Sequence, residues 1–302
     1  MSSITTTNLS KAYGEVQALN NINLSVRDGE IFGLIGPDGA GKTTLFRILA
    51  TLLLPDSGSA QVAGLDPVGD YKKLRTKLGY MPGRFSLYQD LTVRENLEFF
   101  ASVFGSSIVE NYELIREIYV QIEPFRDRRA GALSGGMKQK LALCCALIHK
   151  PEVLLLDEPG TGVDPVSRQE FWDMLRRLRQ WGITILVSTP YMDEAELCDR
   201  IALIQQGEIL TIDTPENVRA AYPRPLFAVR ADDMYRLIRD LRELPGAAGC
   251  YAFGEHAHLS LNDTAIGLDD IRRYLVERRH EAVEVSPTPA TIEDCFIEFL
   301  NH

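Results

Sequence analysis

A chain of 302 residues has room for one large domain and a small one, at roughly 150 residues per domain. Hydrophobic residues make up 45% and charged residues 25%, the mix of a globular protein with a substantial core, and no internal repeat or low-complexity segment interrupts it. The net charge of -10 argues against nucleic acid as a partner, because broad contact with phosphate backbones needs a basic face.

Strand-like stretches open the chain at Ile4–Leu9, Ala18–Val26 and Ile31–Ile35. A Gly-rich loop follows, then a helical pattern from Lys42 to Leu53 ended by Pro55 and Gly58. From Thr92 to about Ile122 the periodicity predicts two helices separated near Gly105, and Ser134 opens a third that runs to about His149. Val153–Asp157 reads as a short apolar strand, Pro165–Trp181 as a helix with Trp172 and Trp181 turned to the core, and Ile183–Ser188 as another apolar strand. Fully apolar strands alternating with helices predict a mainly parallel sheet covered on both faces.

After Asp213-Thr214-Pro215 the pattern changes, and Pro223 and Pro225 break the chain. Strand Leu226–Arg230, helix Met234–Leu244, and strands Gly249–Phe253 and Ala257–Leu261 come next. Helix Leu268–Arg279, strand Ala282–Val285 and a last helix from Thr291 to Leu300 complete the series. Its β-α-β-β-α-β order is that of a small ferredoxin-like α+β unit. The expected division is a larger domain over residues 1–222 and an accessory domain over 223–302. Within the latter, His256 and His258 alternate along one strand and are expected on an exposed face, with no further ligands to make a metal site. The run Glu277–Glu281 reads as a solvated helix end.

No apolar run approaches the roughly 20 residues of a membrane helix, and Ile48–Leu54 and Val153–Leu156 have the length of buried elements. The polar, Thr-rich start from Met1 to Leu9 lacks the basic and apolar stretches of a secretion signal. Cys144, Cys145, Cys198, Cys250 and Cys295 form no C-x-x-C pair and fit free thiols in a reducing cytosol, with Cys144 and Cys145 packing as small hydrophobes. The expected location is cytoplasmic, with any membrane role exercised through a partner.

The chemistry is concentrated in three motifs. Gly36-Pro37-Asp38-Gly39-Ala40-Gly41-Lys42-Thr43-Thr44 matches G-x-x-x-x-G-K-[ST] and lies between an apolar strand and a helix start. In that setting backbone N–H groups and the helix terminus cradle phosphates, Lys42 reaches the β and γ phosphates, and the Thr43 hydroxyl ligates magnesium. Val153-Leu154-Leu155-Leu156-Asp157-Glu158 ends an apolar strand in two carboxylates, Asp157 to hold the Mg2+ shell and Glu158 to orient or deprotonate an attacking water. In Leu133-Ser134-Gly135-Gly136-Met137-Lys138, Ser134 caps the following helix and two glycines expose backbone N–H groups at its positive end, a third anion-seeking element.

The order of phosphate loop, L-S-G-G and L-L-L-D-E-P resembles the ABC-family ATPases over roughly Ser3 to Pro215. The resemblance implies a P-loop NTPase core with N-terminal antiparallel strands and a helical subdomain at about 84–150, and a catalytic cycle using ATP and Mg2+. It further implies a dimer with a second ATPase subunit, in which Ser134, Gly135 and Gly136 contact ATP bound to the opposite subunit. By position, Tyr13 resembles the aromatic that stacks on adenine, and Gly162-Val163-Asp164 the segment that couples the two sites. The stretch Phe85–Phe100 and the helices after it resemble the surface that receives an intracellular helix of the membrane subunits. The smaller domain resembles extensions on exporter ATPases whose ABC-2-type permease subunits are separately encoded.

Two residues depart from that family pattern. Tyr80-Met81-Pro82 is followed by Gly83 where the family carries Gln, and Ser188-Thr189 by Pro190 where it carries His. Proline offers neither a side-chain donor nor a backbone N–H. The leading expectation is thus a transport ATPase whose own site binds ATP and hydrolyses it slowly. The alternative is a regulatory nucleotide-binding subunit of a heterodimeric complex with negligible turnover of its own. A third class, translation or DNA-repair ATPases of the same family, lacks support, since neither a second ATPase domain nor a long coiled-coil insertion is visible.

Overall fold

The computed structural model describes residues 2–84, 86–262 and 265–300. They divide between Pro215 and Glu216 into two compact units.

The larger unit begins with β1 (Ser2–Tyr13) and β2 (Val16–Arg27), an antiparallel pair. Along β2 the buried Ile22, Leu24 and Val26 alternate with exposed Asn21, Asn23 and Ser25, which is the period of a half-buried strand. β3 (Ile31–Ile35) is buried at every residue and leads through the phosphate loop into α1 (Lys42–Leu49). That helix stops short of the expected Leu53 because Thr51 adopts a left-handed backbone, φ 63°. β4 (Ser57–Val62) joins the other edge of β1, and α2 (Tyr71–Leu74) precedes β5 (Leu78–Met81). α3 (Val93–Val103) starts on a capping box, with the Thr92 hydroxyl accepting from the Glu95 N–H and the Glu95 carboxylate from the Thr92 N–H. α4 (Tyr112–Tyr119) and α5 (Gly135–Leu147) complete the helical portion.

Next come β6 (Val153–Asp157), α6 (Pro165–Arg179), β7 (Thr184–Thr189), β8 (Arg200–Gln205) and β9 (Glu208–Asp213). The main sheet runs β5-β6-β7-β3-β8-β9, parallel except for the antiparallel β9. Its central strands β6, β7 and β3 are buried at every residue, as expected of a parallel sheet covered on both faces. A core containing Phe32, Leu34, Phe46, Leu155 and Leu186 lies between this sheet, α1 and the antiparallel sheet β2-β1-β4. One expectation fails here. Trp172 is buried, but α6 ends at Arg179, so Trp181 falls in the turn beyond the helix and is 52% exposed.

The smaller unit opens with α7 (Pro215–Ala220), whose first residue is the last of the larger unit. It contains β10 (Leu226–Arg230), α8 (Met234–Arg242), β11 (Ala247–Phe253), β12 (His256–Leu261), α9 (Leu268–Glu277), β13 (Glu284–Pro287) and α10 (Ile292–Leu300). The strands form one antiparallel sheet in the order β11-β12-β10-β13, the ferredoxin-like arrangement. Val229, Leu237, Leu259, Ile271 and Leu275 build its core between the sheet, α8 and α9.

Two histidines expected at the surface are inside. α10 covers the second face of the sheet, so His258 is buried against the Asp294 carboxylate, 2.9 Å from Nδ1. Arg279 turns the chain with φ 60° after α9, and His280 is buried with its Nε2 2.9 Å from Asp240 Oδ2. All five cysteines are free and buried, and burial pushes each thiol up, Cys250 to about 12 and Cys295 to about 11. No helix among the described residues is long and apolar enough to cross a membrane.

Candidate nucleotide site

The phosphate loop spans the gap between β3 and α1, and its shape is held by neighbours on both sides. The Gly36 N–H donates to Thr189 O at 3.2 Å, tying the loop to the end of β7, and the Gly207 N–H donates to Ala40 O at 3.0 Å. Gly41 has φ 103°, and a Cβ there would lie 2.3 Å from Ala18 O, so only glycine fits. Asp38 and Gly39 form the exposed crest of the loop. Thr43 and Thr44 are half-buried in the first turn of α1, whose unpaired N–H groups and dipole favour an anion.

Lys42 is 3% exposed, yet its ammonium is fully engaged. Nζ donates to Gly36 O and Pro37 O, both at 2.8 Å, and pairs with Glu158 Oε1 at 3.1 Å. Glu158 reaches it because its backbone is left-handed, φ 51°, immediately after β6. A non-glycine residue rarely adopts that conformation unless its surroundings impose it. Here the Glu158 N–H is held by Ser188 O at 3.1 Å and Ser188 Oγ at 3.0 Å.

Asp157 is 2% exposed and accepts from Ser188 Oγ at 2.7 Å and from Thr43 Oγ1 at 3.2 Å. Burial raises its carboxyl above the ordinary value, against the lowering effect of those two bonds. Tyr80, on the neighbouring strand β5, is pushed up to about 12 by burial, with Asp157 adding to the rise. A hydroxyl and an ionisable carboxyl facing each other across 3.2 Å are the donor set for a hard divalent cation that also takes phosphate oxygens and water. No group of three or more His, Cys, Asp or Glu side chains among the described residues forms a metal cage of its own. Both ATP and Mg2+ therefore fit what is present: a cation-lined cradle for phosphates, with Thr43 and Asp157 converging beside it.

The third motif stands apart from this loop, at the start of α5. The Ser134 hydroxyl caps α5 by accepting from the Met137 N–H at 3.4 Å. A Cβ on Gly136 would sit 2.8 Å from Ser167 Oγ, so the residue lets α5 approach α6. A Cβ on Gly135 would sit 3.5 Å from Gly162 O, which brings the motif beside the Gly162-Val163-Asp164 segment. Asp164 itself caps α6, accepting from the Ser167 N–H at 3.0 Å. Tyr13 ends β1 at 46% exposure, with the Lys11 ammonium 6.0 Å from its ring centroid.

Gly83 follows β5 next to Glu158, where a Cβ would lie 3.0 Å from Asp157 O and 3.7 Å from the Glu158 side chain. Pro190 follows Thr189, whose carbonyl receives the first bond of the phosphate loop. A groove of about 560 Å³ runs from Glu158 and Gly83 to an apolar end lined by Leu52, Phe100, Val103 and Phe104. Phe85, the first residue of the stretch expected to line a docking surface, lies outside the described residues. Ser188 is the functional neighbour that sequence reasoning missed; a lone hydroxyl pair in the apolar run Ile185-Leu186-Val187-Ser188-Thr189 was its only signal.

A family model described as ABC transporter matches residues 19–161. The probable multidrug ABC transporter ATP-binding protein YbhF of Escherichia coli (strain K12) is 42% identical over 288 residues, covering 94% of this chain and 49% of that protein. The chain thus spans about half the length of that relative. The daunorubicin resistance ATP-binding protein DrrA2 of Streptomyces coeruleorubidus is 33% identical over 311 residues, covering 97% of this chain and 94% of that protein. Among solved structures, a dimeric ATP-binding cassette in a post-hydrolysis state bound to ADP and Pi is 27% identical with a TM-score of 0.63, covering 70% of this chain and 98% of that one.

Proposed function

Because the chain belongs to the ABC transporter family of ATP-binding proteins, we propose that it is the ATP-binding subunit of an exporter and couples ATP binding and hydrolysis to movement of separate membrane subunits. The convergence of Lys42, Thr43, Asp157 and Glu158 on one loop carries this reading. Names of the relatives, multidrug and daunorubicin resistance among them, favour export.

In this reading the loop from Gly36 to Thr44 binds the phosphates, Lys42 neutralises the β and γ groups, and Thr43 and Asp157 hold Mg2+. When bound, Mg2+ neutralises charge that develops on the phosphate oxygens. Glu158 gives up Lys42 to the incoming phosphate and turns to the attacking water as its base. Tyr13 offers its exposed ring to adenine, and Ser134, Gly135 and Gly136 serve the ATP of a second subunit across a dimer, with Gly162-Val163-Asp164 beside them. The apolar end of the groove takes an intracellular helix of ABC-2-type permease subunits, which would hold the chain at the cytoplasmic face of the membrane. Residues 1–222 form the motor and 223–302 an accessory domain.

Gly83 and Pro190 favour slow hydrolysis in the chain's own site, since loss of one preorganised donor typically slows catalysis about 10²–10³-fold. The same two residues support the second reading, a regulatory subunit paired with a catalytic one. ATP binding and turnover by the purified chain, by Glu158→Gln and by Gly83→Gln with Pro190→His decide between them. Tight binding with little turnover, rescued by the double variant, supports the slow site. Brisk turnover that Glu158→Gln stops makes the chain a self-sufficient homodimeric motor, and absence of ATP binding removes the proposal.

A further inference from the structure

We propose that Glu194, in the short 3-10 helix Met192–Leu197 after β7, is a positioning residue for hydrolysis: with Arg168 it forms the seat of the turn that begins at Glu158. The role rests on the ATPase reading above and falls to a group outside all three motifs.

Glu158 opens a tight turn: the Thr161 N–H donates to Glu158 O at 3.2 Å, and Pro159 and Gly160 between them are buried. A Cβ on Gly160 would lie 2.9 Å from Glu194 Oε1 and 3.2 Å from Arg168 Cδ, so the turn's backbone lies directly against both side chains. Arg168 comes from the start of α6, the helix capped by Asp164. Its Nε is 3.6 Å from Glu194 Oε1, its Nη2 is 3.4 Å from Asp193 Oδ2, and its guanidinium lies 4.6 Å from the Tyr191 ring centroid. One side-chain pair thus joins the turn after β6, the start of α6 and the segment after β7 that contains Pro190.

Packing alone does not account for a carboxyl at this place. Glu194 is 2% exposed, and neither of its oxygens has a hydrogen-bond partner among the described residues. Burial pushes the carboxyl above its ordinary value, against the lowering effect of the nearby Thr189 hydroxyl, Trp172 indole and Arg168 guanidinium, none of which completes a hydrogen bond to it. A buried acid so poorly satisfied costs the fold stability, and a neutral side chain of the same size would fill the space at less cost. Arg168 is partly exposed and has Asp193 as a second partner, so it does not depend on Glu194 for its charge. An interior carboxyl that strains the fold while bracing the turn of the catalytic base has the signature of a functional group.

The test compares the full chain with Glu194→Gln, Arg168→Met and the double variant. It reads melting temperature, magnesium-ATP affinity and the single-turnover rate of phosphate release at saturating ATP. Glu194→Gln should melt no lower than the wild type and bind ATP no more weakly, yet release phosphate at least about tenfold more slowly. Arg168→Met keeps the carbons that touch Gly160 and loses the guanidinium; it should slow release similarly, with the double variant no slower than either single one. A Glu194→Gln chain that melts lower and loses ATP binding marks a merely structural residue and overturns the role. An equal release rate beside a wild type that turns over removes this role alone, whereas a wild type that binds no ATP removes the ATPase reading with it. If the wild type binds ATP but turns over too slowly to measure, amide hydrogen exchange across residues 160–163 decides: faster exchange in Glu194→Gln supports the role, and equal exchange overturns it.

Discussion

Replacing Glu158 by Gln tests the contact that dominates the nucleotide site. The wild-type carboxylate lies 3.1 Å from a Lys42 ammonium whose other two donors go to Gly36 O and Pro37 O. The Lys42 side chain is 2% exposed and that of Glu158 21%, so the pair is shielded from water on one side only. Hydrogen bonds to charged groups contribute about 1.5–3 kcal/mol and neutral ones about 0.5–1.5, so a Gln amide retains part of the contact and loses about 1–1.5 kcal/mol. ATP must displace Glu158 from Lys42, whereas the variant has less to displace. ATP affinity should therefore rise about tenfold while the ligand-free protein melts a few degrees lower, roughly 2–4 °C per kcal/mol for a unit of this size. Turnover should fall by about 10²–10⁴ as the base is lost. Fluorescent-nucleotide titration with magnesium, paired with melts with and without ATP, reads both quantities. An ATP affinity equal to or weaker than that of wild type would refute the claim that Glu158 and phosphate compete for Lys42.

Asp157→Asn should stabilise the nucleotide-free chain by about 1 kcal/mol, seen as a melt about 2–4 °C higher at pH 7, and abolish magnesium-dependent nucleotide binding. The sign follows from burial. A carboxyl raised above its ordinary 3.8 binds its proton more tightly in the folded chain, so its ionisation opposes folding as pH rises through the raised value and at every higher pH. The melt difference between variant and wild type should accordingly shrink toward pH 4. Pro190→His should raise turnover, and adding Gly83→Gln should help less than its chemistry suggests, because the new Cβ meets Asp157 O at 3.0 Å; steady-state phosphate release compares the three chains. None of the five buried thiols should react with a thiol reagent in the folded chain, and all five should after denaturation; reaction of Cys144 or Cys145 without unfolding would show a looser α5 than described.

Much of the fold was legible because its central strands are continuous apolar runs. β3 and β6 lie where Ile31–Ile35 and Val153–Asp157 predicted them. β4 was not legible: Ser57-Gly58-Ser59-Ala60-Gln61-Val62 has no strand composition and becomes one by pairing with β1, Ile4 against Val62. β5, four residues long, and the hairpin β8–β9 lacked a distinctive pattern. The phosphate loop could be read in full because backbone geometry forces its glycines and lysine into a fixed spacing. The Lys42–Glu158 pair could not, since it depends on a left-handed backbone at Glu158 that no composition announces. The buried pairs His258–Asp294 and His280–Asp240 join residues 36 and 40 positions apart, and local periodicity is blind to such contacts.

β5 lies at the rim of the main sheet and bonds to a single neighbour, β6. It carries Tyr80 and Met81 and runs directly into Pro82 and Gly83, which line the groove together with Glu158. β6, by contrast, is clamped between β5 and β7 and ends in Asp157. A push delivered at the groove thus meets a soft member and a stiff one side by side. The rim strand can slide by surrendering one ladder of hydrogen bonds, whereas the inner strand would have to surrender two. Mechanical work entering this fold through the groove can re-aim Gly83 relative to Glu158 while Asp157 stays where it is, which is the property of a lever mounted on a fixed pivot.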